Sequence, residues 1–285
     1  MNQSHLFDTI IDRHLRSKLP PLMAEATLFT LKQLSACFFG ALLLLAIICT
    51  NVIWENDWSI ARYDALFAFA VLTQATMLFF KFESWQEAKV IGLFHITGTA
   101  MEIFKVNAGS WTYPEEAFFM LVNVPLFSGF MYASVGSYIA RVIRIFNLRF
   151  THYPTFWLTA VLAIFIYVNF FSHHYVPDIR LVLFAATVIV FLRTHVVFTN
   201  GRTYPFPLAT LFASFFLWIA ENIGTLTGTW VYAGSHTFEM TSFSKIGSWY
   251  LLLYVAFVTV TLINCDSLNT RRNHTSSGTP PTRPR

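Results

Sequence analysis

The sequence predicts an all-α, polytopic membrane protein of about eight transmembrane helices, arranged as two parallel four-helix repeats. Three observations carry this. Of 285 residues, 55% are apolar and only 12% charged, about half the ~25% usual for soluble domains. The apolar residues fall in runs near the ~20-residue length that a helix needs to cross a bilayer. A motif built on an intramembrane Glu recurs at one offset. Aromatic residues reach 18%, with 31 Phe alone. This composition excludes a disordered chain, a nucleic-acid-binding domain and an ordinary water-soluble enzyme. The net charge of +4 comes from basic residues scattered between apolar runs, a pattern of bilayer orientation rather than of a nucleic-acid partner.

The elements follow in order. Residues 1–34 form a cytoplasmic segment. In it Leu6, Phe7, Ile10, Ile11 and Leu15 stand near helical spacing between charged residues, which predicts an amphipathic helix on the membrane surface. Pro20–Pro21 end it. The first long apolar run starts near Ser35 and lacks a small-residue cleavage pattern after it, so it reads as a retained span and not a signal peptide. The first repeat, 35–139, holds spans at 35–53, 60–80, 88–106 and 118–139. A cytoplasmic linker, 140–154, leads to the second repeat, 155–265, with spans at 155–172, 179–198, 208–223 and 248–265. The tail, 266–285, is rich in Ser, Thr, Pro and Arg and reads as disordered and cytoplasmic.

Charge orients these spans. With the N-terminus inside, only Arg62, Lys105, Arg180 and Lys245, four of the 19 Lys and Arg, fall on the outer side. The bias supports eight crossings with both termini cytoplasmic. Trp54, Trp58, Trp111, Trp230 and Trp249 fall at outer boundaries, where Trp is favoured. Cys37, Cys49 and Cys265 have no CxxC spacing and read as small buried hydrophobes. His173, His174 and Asp178 form an outer-loop cluster too sparse for a metal signature. No metal site or cofactor is expected.

Glu102-x6-Gly109-Ser-Trp111-Thr-Tyr113 matches Glu221-x6-Gly228-Thr-Trp230-Val-Tyr232, 119 residues later. The same offset carries 35–53 onto 154–172 and 60–80 onto 179–199. Four crossings return the chain to its starting side, so the halves have one orientation and a pseudo-twofold axis along the membrane normal.

Glu102 and Glu221 lie roughly 20 Å from the cytoplasmic side at 1.5 Å per residue. A carboxylate there costs roughly 2.5–3.5 kcal/mol on insertion scales and must face protein or trapped water. A carboxyl kept protonated serves as a general acid, and one protonated and one ionised carboxyl make an acid/base pair. Gly109 and Gly228 permit a tight turn. Trp111, Tyr113, Trp230 and Tyr232 are candidates to wall a pocket and stabilise a cation. His95 and Asn222 are candidates to orient the two acids. The same Trp and Tyr also suit an interface belt, and the two Glu also suit a purely structural hydrogen-bonded contact between halves. Three function classes follow: a lipid- or isoprenoid-modifying enzyme of non-redox type, a transporter or ion- or proton-coupled carrier, and a structural or sensory membrane protein. The expected partners are the lipid bilayer and an apolar or isoprenoid small molecule.

The run from Lys81 to Arg144, above all AMEIFKVNAGSWTYPEEAFFMLVNVPLFSGFMY, resembles the bacterial domain-of-unknown-function family 817 (YoaT-like), from about Ala24 to Asp266. The resemblance implies a multi-pass protein of the bacterial cytoplasmic membrane. Glu102, Gly109, Trp111 and Tyr113, followed by Pro114-Glu115-Glu116-Ala117-Phe118-Phe119, also resemble the motif of carotenoid lycopene cyclase and hydratase membrane domains. Here Glu stands where those cyclases have Asp, the loop before the proline is absent, and the second half has no P-E-E. This motif covers about 20 residues per half and implies acid-catalysed isoprenoid chemistry.

Overall fold

The computed structural model describes residues 11, 13–55, 57–198 and 201–263. Residues 13–18 are helical and stop before Pro20, as expected, but Leu6, Phe7 and Ile10 of the expected amphipathic helix lie outside the described residues, as do Cys265 and the tail. Pro21 then begins a helix, α1 (Pro21–Ala36), instead of only ending one. At the first helical position its missing N–H costs nothing and its fixed φ suits the turn. At Cys37 the chain bends by 70° into α2 (Phe38–Ile53).

α3 (Arg62–Phe79) and α4 (Trp85–Asn107) follow, the latter opened by a capping box of Ser84 and Glu87. Strand β1 (Trp111–Thr112) and a hairpin of β2 (Met120–Leu121) and β3 (Val124–Pro125) precede α5 (Phe127–Ile145). Then come β4 (Arg149–Thr151), α6 (Phe156–Ser172), α7 (Arg180–Val190), β5 (His195–Val197), β6 (Thr203–Pro205), α8 (Phe206–Leu226), β7 (Val231–Tyr232) and α9 (Lys245–Ile263).

Every predicted span contains a helix, with two clear corrections. The fourth begins at Phe127 and not at 118, because 120–125 turns back on itself through Val122 and Asn123, at φ 50° and 61°. The sixth ends at Val190 and not at 198, because β5 joins β4 and β6 in a three-stranded antiparallel sheet. Among the described residues, two helices are by length and composition able to cross a membrane, Phe206–Leu226 and Lys245–Leu262, or three if the bent α1–α2 pair is one span. That is fewer than the expected eight. α4 is 23 residues long but carries Glu87, Lys89, Glu102 and Lys105, while α6 and α7 are apolar but short.

Side-chain contacts define two ends of the bundle. At one, Arg141 donates to the carbonyls of Ser35 and Phe82 at 2.7 Å each, Arg144 pairs with Glu87 at 2.8 Å, and Arg202 with Glu25 at 2.6 Å. At the other, Arg62 pairs with Glu115, Asp64 accepts from the backbone of Phe118 and Phe119, and Tyr63 donates to the Thr229 carbonyl at 2.7 Å. β1 and β7 pair at this second end, with Trp111 opposite Tyr232 and Thr112 opposite Val231.

The largest apolar cluster surrounds α9, where Phe257 packs on Phe150 and Phe206, and Phe206 stacks on Phe191 at 4.5 Å. α2 buries Phe39, Leu43 and Ile47, one stripe at four-residue spacing. Cys37 and Cys49 lie off that stripe and are exposed, not buried as expected.

Candidate functional site

The two Glu motifs fold alike. α4 and α8 each end in a glycine with positive φ, Gly109 at 71° and Gly228 at 63°. A side chain with a Cβ resists that conformation. The same closing bonds follow: Ser110 N–H to the Lys105 carbonyl at 2.9 Å, and Thr229 N–H to the Gly224 carbonyl at 2.9 Å. This is the helix-ending pattern that glycine supports. It folds the next residues back over the last helical turns, so that each Trp and Tyr returns to its own Glu.

Trp111 Nε1 and the Tyr113 hydroxyl both donate to Oε2 of Glu102 at 2.8 Å. Trp230 Nε1 and the Tyr232 hydroxyl both donate to Oε1 of Glu221, at 3.1 and 2.6 Å. Both carboxyls are buried, at 3% and 6% exposure, and these bonds offset the cost of taking them out of water. The motifs meet across the β1–β7 pair, where the Trp111 and Tyr232 rings lie edge to face at 5.6 Å. The four aromatic residues of the sequence motif are therefore brought together, as donors to the acids.

Glu102 has a third donor that its motif does not contain. The Tyr132 hydroxyl, from α5, donates to Oε1 at 2.6 Å. Tyr132 also borders an apolar cleft of about 310 Å³ between α4 and α5 on one side and α6 and α9 on the other. Gly98, Met101, Ala163, Tyr167 and Trp249 share its wall, and the exposed Ile164 and Leu262 mark its rim. From Trp249 to Leu262 the cleft follows α9 for about 20 Å.

His95 and Asn222 sit elsewhere in the network. His95 packs on Phe130 at 4.4 Å, and its buried Nδ1 has no hydrogen-bond partner; Tyr132 takes the orienting place beside Glu102. Asn222 donates to the Trp218 carbonyl at 2.7 Å and accepts from Thr241 N–H at 2.8 Å, tying the loop before α9 to α8.

Beside the motifs lies a cationic cluster. Lys105 Nζ contacts Nε2 of His174 at 3.1 Å and of His173 at 3.4 Å. Ser110 Oγ lies 3.3 Å from the same His174 nitrogen. Lys245 Nζ stands 3.6 Å from the centre of the Tyr232 ring. Arg180 binds Asp178 and donates to Ser248 at 3.1 Å. Desolvation and the Lys105 charge hold both histidines below the usual imidazole range, so they face the ammonium as neutral acceptors. The hydrogen bond from Arg180 holds Asp178 at about 2. Sequence reasoning missed Tyr132, and it missed that the His173, His174 and Asp178 cluster meets Lys105, Arg180 and Lys245. The signal was there, since the last three are among the four Lys and Arg assigned to the outer side.

The chain matches the family model described as protein of unknown function, DUF817, over residues 25–257. It is 42% identical over 236 residues to the uncharacterized protein YoaT of Bacillus subtilis (strain 168), covering 81% of this chain and 89% of that one. A solved structure, titled as a cross-linked MvINS trimer, is similar at 13% identity and a TM-score of 0.45, covering 64% of this chain and 95% of the other. With most of its length matched by the family model and by a relative at this identity, the chain belongs to the DUF817 family.

Proposed function

We propose that the protein is a multi-pass protein of the bacterial cytoplasmic membrane, built from two parallel four-helix halves, that modifies an isoprenoid or other apolar lipid by proton transfer. The halves are α2–α5 and α6–α9. Several pairings support this division. α2 packs on α3 and α5 as α6 packs on α7 and α9, and α4 packs on α5 as α8 packs on α9. Across the division, α2 meets α8 and α4 meets α6, while α5 meets α9. A twofold axis exchanging the halves maps each of these contacts onto another or onto itself. The antiparallel β1–β7 pair, centred on Thr112 and Val231, obeys the same axis.

The observation that carries the chemical reading is Tyr132, whose hydroxyl binds Glu102 at 2.6 Å while its ring borders the apolar cleft. When Glu102 holds a proton, it passes it to the Tyr132 hydroxyl as that hydroxyl gives its own to an alkene carbon in the cleft. The neighbouring carbon, or a water that adds to the cation, then returns one proton through Tyr132 to Glu102, which completes a cyclisation, isomerisation or hydration without redox change. Aromatic walls at Tyr167 and Trp249 favour a cationic intermediate. Glu221 is one ring contact further away and holds the second motif against the first.

The test is the lipid extract of cells expressing wild type, Glu102→Gln or Tyr132→Phe at equal levels. A lipid that is isomeric with its precursor, or differs from it by one water, should accompany only the wild type. Identical profiles from all three would overturn the enzymatic reading. The carrier reading lacks a comparable observation, since the cleft opens on the flank of the bundle at Ile164 and Leu262.

A further inference from the structure

Three of the four Lys and Arg assigned to the outer side converge on one place. The fourth, Arg62, is paired with Glu115. Arg180 is paired with Asp178, but Lys105 and Lys245 form no salt bridge among the described residues, although Lys245 feels the Glu221 carboxylate at longer range. Lys105 is only 4% exposed, and its polar contacts are the two histidine nitrogens. Arg180 and Lys245 act on it as like charges, each more strongly than Asp178 acts as an opposite one. A buried ammonium surrounded by cations is costly unless an anion neutralises it.

The cations stand at the end of the cleft. On α4, Lys105 follows cleft-lining Met101 by one turn and Gly98 by two. On α9, Lys245 precedes cleft-lining Trp249 by one turn. On α6, Ala160, Ala163 and Tyr167 line the cleft, and His173 and His174 follow where the helix ends. Three of the helices that wall the cleft, α4, α6 and α9, thus deliver a basic or imidazole group to its outer end.

We propose that this cluster binds the phosphate monoester headgroup of a single-chain amphiphile whose hydrocarbon lies in the cleft. Lys105 and Lys245, neither of them in a salt bridge among the described residues, set two positive charges against the −1.5 to −2 of such a group. Lys105 on α4, Arg180 on α7 and Lys245 on α9 bring donors from three helices, which suits a tetrahedral anion better than a planar carboxylate. The proposal rests on the reading that the cleft takes an apolar chain, and it narrows that chain to one bearing phosphate.

The test uses the full chain, purified in uncharged detergent, with geranylgeranyl phosphate, geranylgeraniol and inorganic phosphate as probes, read by tryptophan fluorescence and native mass spectrometry. The phosphate amphiphile should bind about tenfold or more tightly than the alcohol. Lys105→Met with Lys245→Met should remove that advantage and leave alcohol binding unchanged. Lys105→Arg, which keeps the charge, should retain most of it and shows that the effect is not misfolding. Equal binding of phosphate and alcohol to the wild type would overturn the headgroup site while leaving the cleft reading intact. Failure of both amphiphiles to bind would overturn the two together. Competition by inorganic phosphate at the concentration of the amphiphile itself would overturn the link to the cleft and leave a free-phosphate site.

Discussion

One turn below the closing glycine, the Glu221 motif has Gly224 where the Glu102 motif has Lys105, 119 residues earlier. At Gly224 the Trp230 ring fills the vacant space, and that indole is 7% exposed. At Lys105 an ammonium occupies the corresponding step and turns toward the histidines of the α6–α7 loop. The acids differ as well. Both oxygens of Glu102 accept bonds, one of them from Tyr132 beside the cleft. The bonds to Glu221 converge on Oε1. Shared parts of the motif hold the β1–β7 junction together. The parts that differ face the cleft and the cations. Function is therefore to be sought where the two motifs differ, and the parts they share are the support.

The largest break is expected at Gly224. A Cβ there would lie 1.7 Å from Cη2 of Trp230, and rigid backbone on one side and a buried ring on the other leave no easy relief. Gly224→Ala should cost about 3 kcal/mol or more, seen as a large fall in the thermal midpoint of the full chain in detergent. Lys105→Met, at the matching position, should not lower that midpoint, since it removes a buried charge that lacks a carboxylate. Equal losses from both would mean that the two positions do the same structural work.

The two acids should separate next. Glu102→Gln puts an amide N–H₂ against hydroxyl or indole donors whichever way it is turned, and about 1–3 kcal/mol of stability should be lost. Glu221→Gln can keep its carbonyl oxygen where Oε1 accepts, and its cost should be below about 1 kcal/mol. Parallel thermal or denaturant titrations check the order; a larger loss at Glu221 would reverse the comparison.

Much of this was legible because apolar runs and rare residues leave marks in sequence. The eight apolar runs each mark a helix, and Glu, Gly, Trp and Tyr at fixed spacing mark a helix end that returns two donors to its acid. Other features depend on neighbours that are remote in the chain. Tyr132 is one aromatic among many in an apolar run until α5 packs on α4. The β2–β3 turn has Val122 at positive φ, which local preference disfavours, so no turn signal announced it. Pro20–Pro21 signal a helix boundary equally well from either side, and only the structure shows both uses. Buried Glu83, which accepts from buried Ser137 and half-buried Gln74 at 2.7 and 2.6 Å, similarly joins residues that no local pattern links.

Tyr132→Phe should sharpen the comparison with less damage. It deletes one short bond to Glu102 and keeps the ring, so about 1 kcal/mol is expected, together with loss of any lipid product. The tyrosine nearest to it under the 119-residue offset, Tyr250, meets Thr187 Oγ1 at 3.4 Å. Tyr250→Phe should cost less in the same melt and leave the lipid profile unchanged.

The smallest effect concerns pH at the cationic cluster, where the two motifs' surroundings again differ. Under the 119-residue offset His173 and His174 correspond to Trp54 and Glu55, so imidazoles stand beside a buried lysine at only one of the two offset-related places. Desolvation and the Lys105 charge lower both histidines in the folded protein. The unfolded chain then binds protons first as pH falls, and stability declines as pH passes down through the ordinary His value of about 6.5. The decline continues until the folded histidines themselves protonate. Asp178, held at about 2, stays ionised throughout that interval. A thermal melt of wild type should therefore drop between about pH 7 and pH 5, and the double variant His173→Gln, His174→Gln should show a shallower drop. Parallel curves would mean that the pair does not sense the lysine, and the electrostatic contrast between the two motifs would then reside in Lys105 and Lys245 alone.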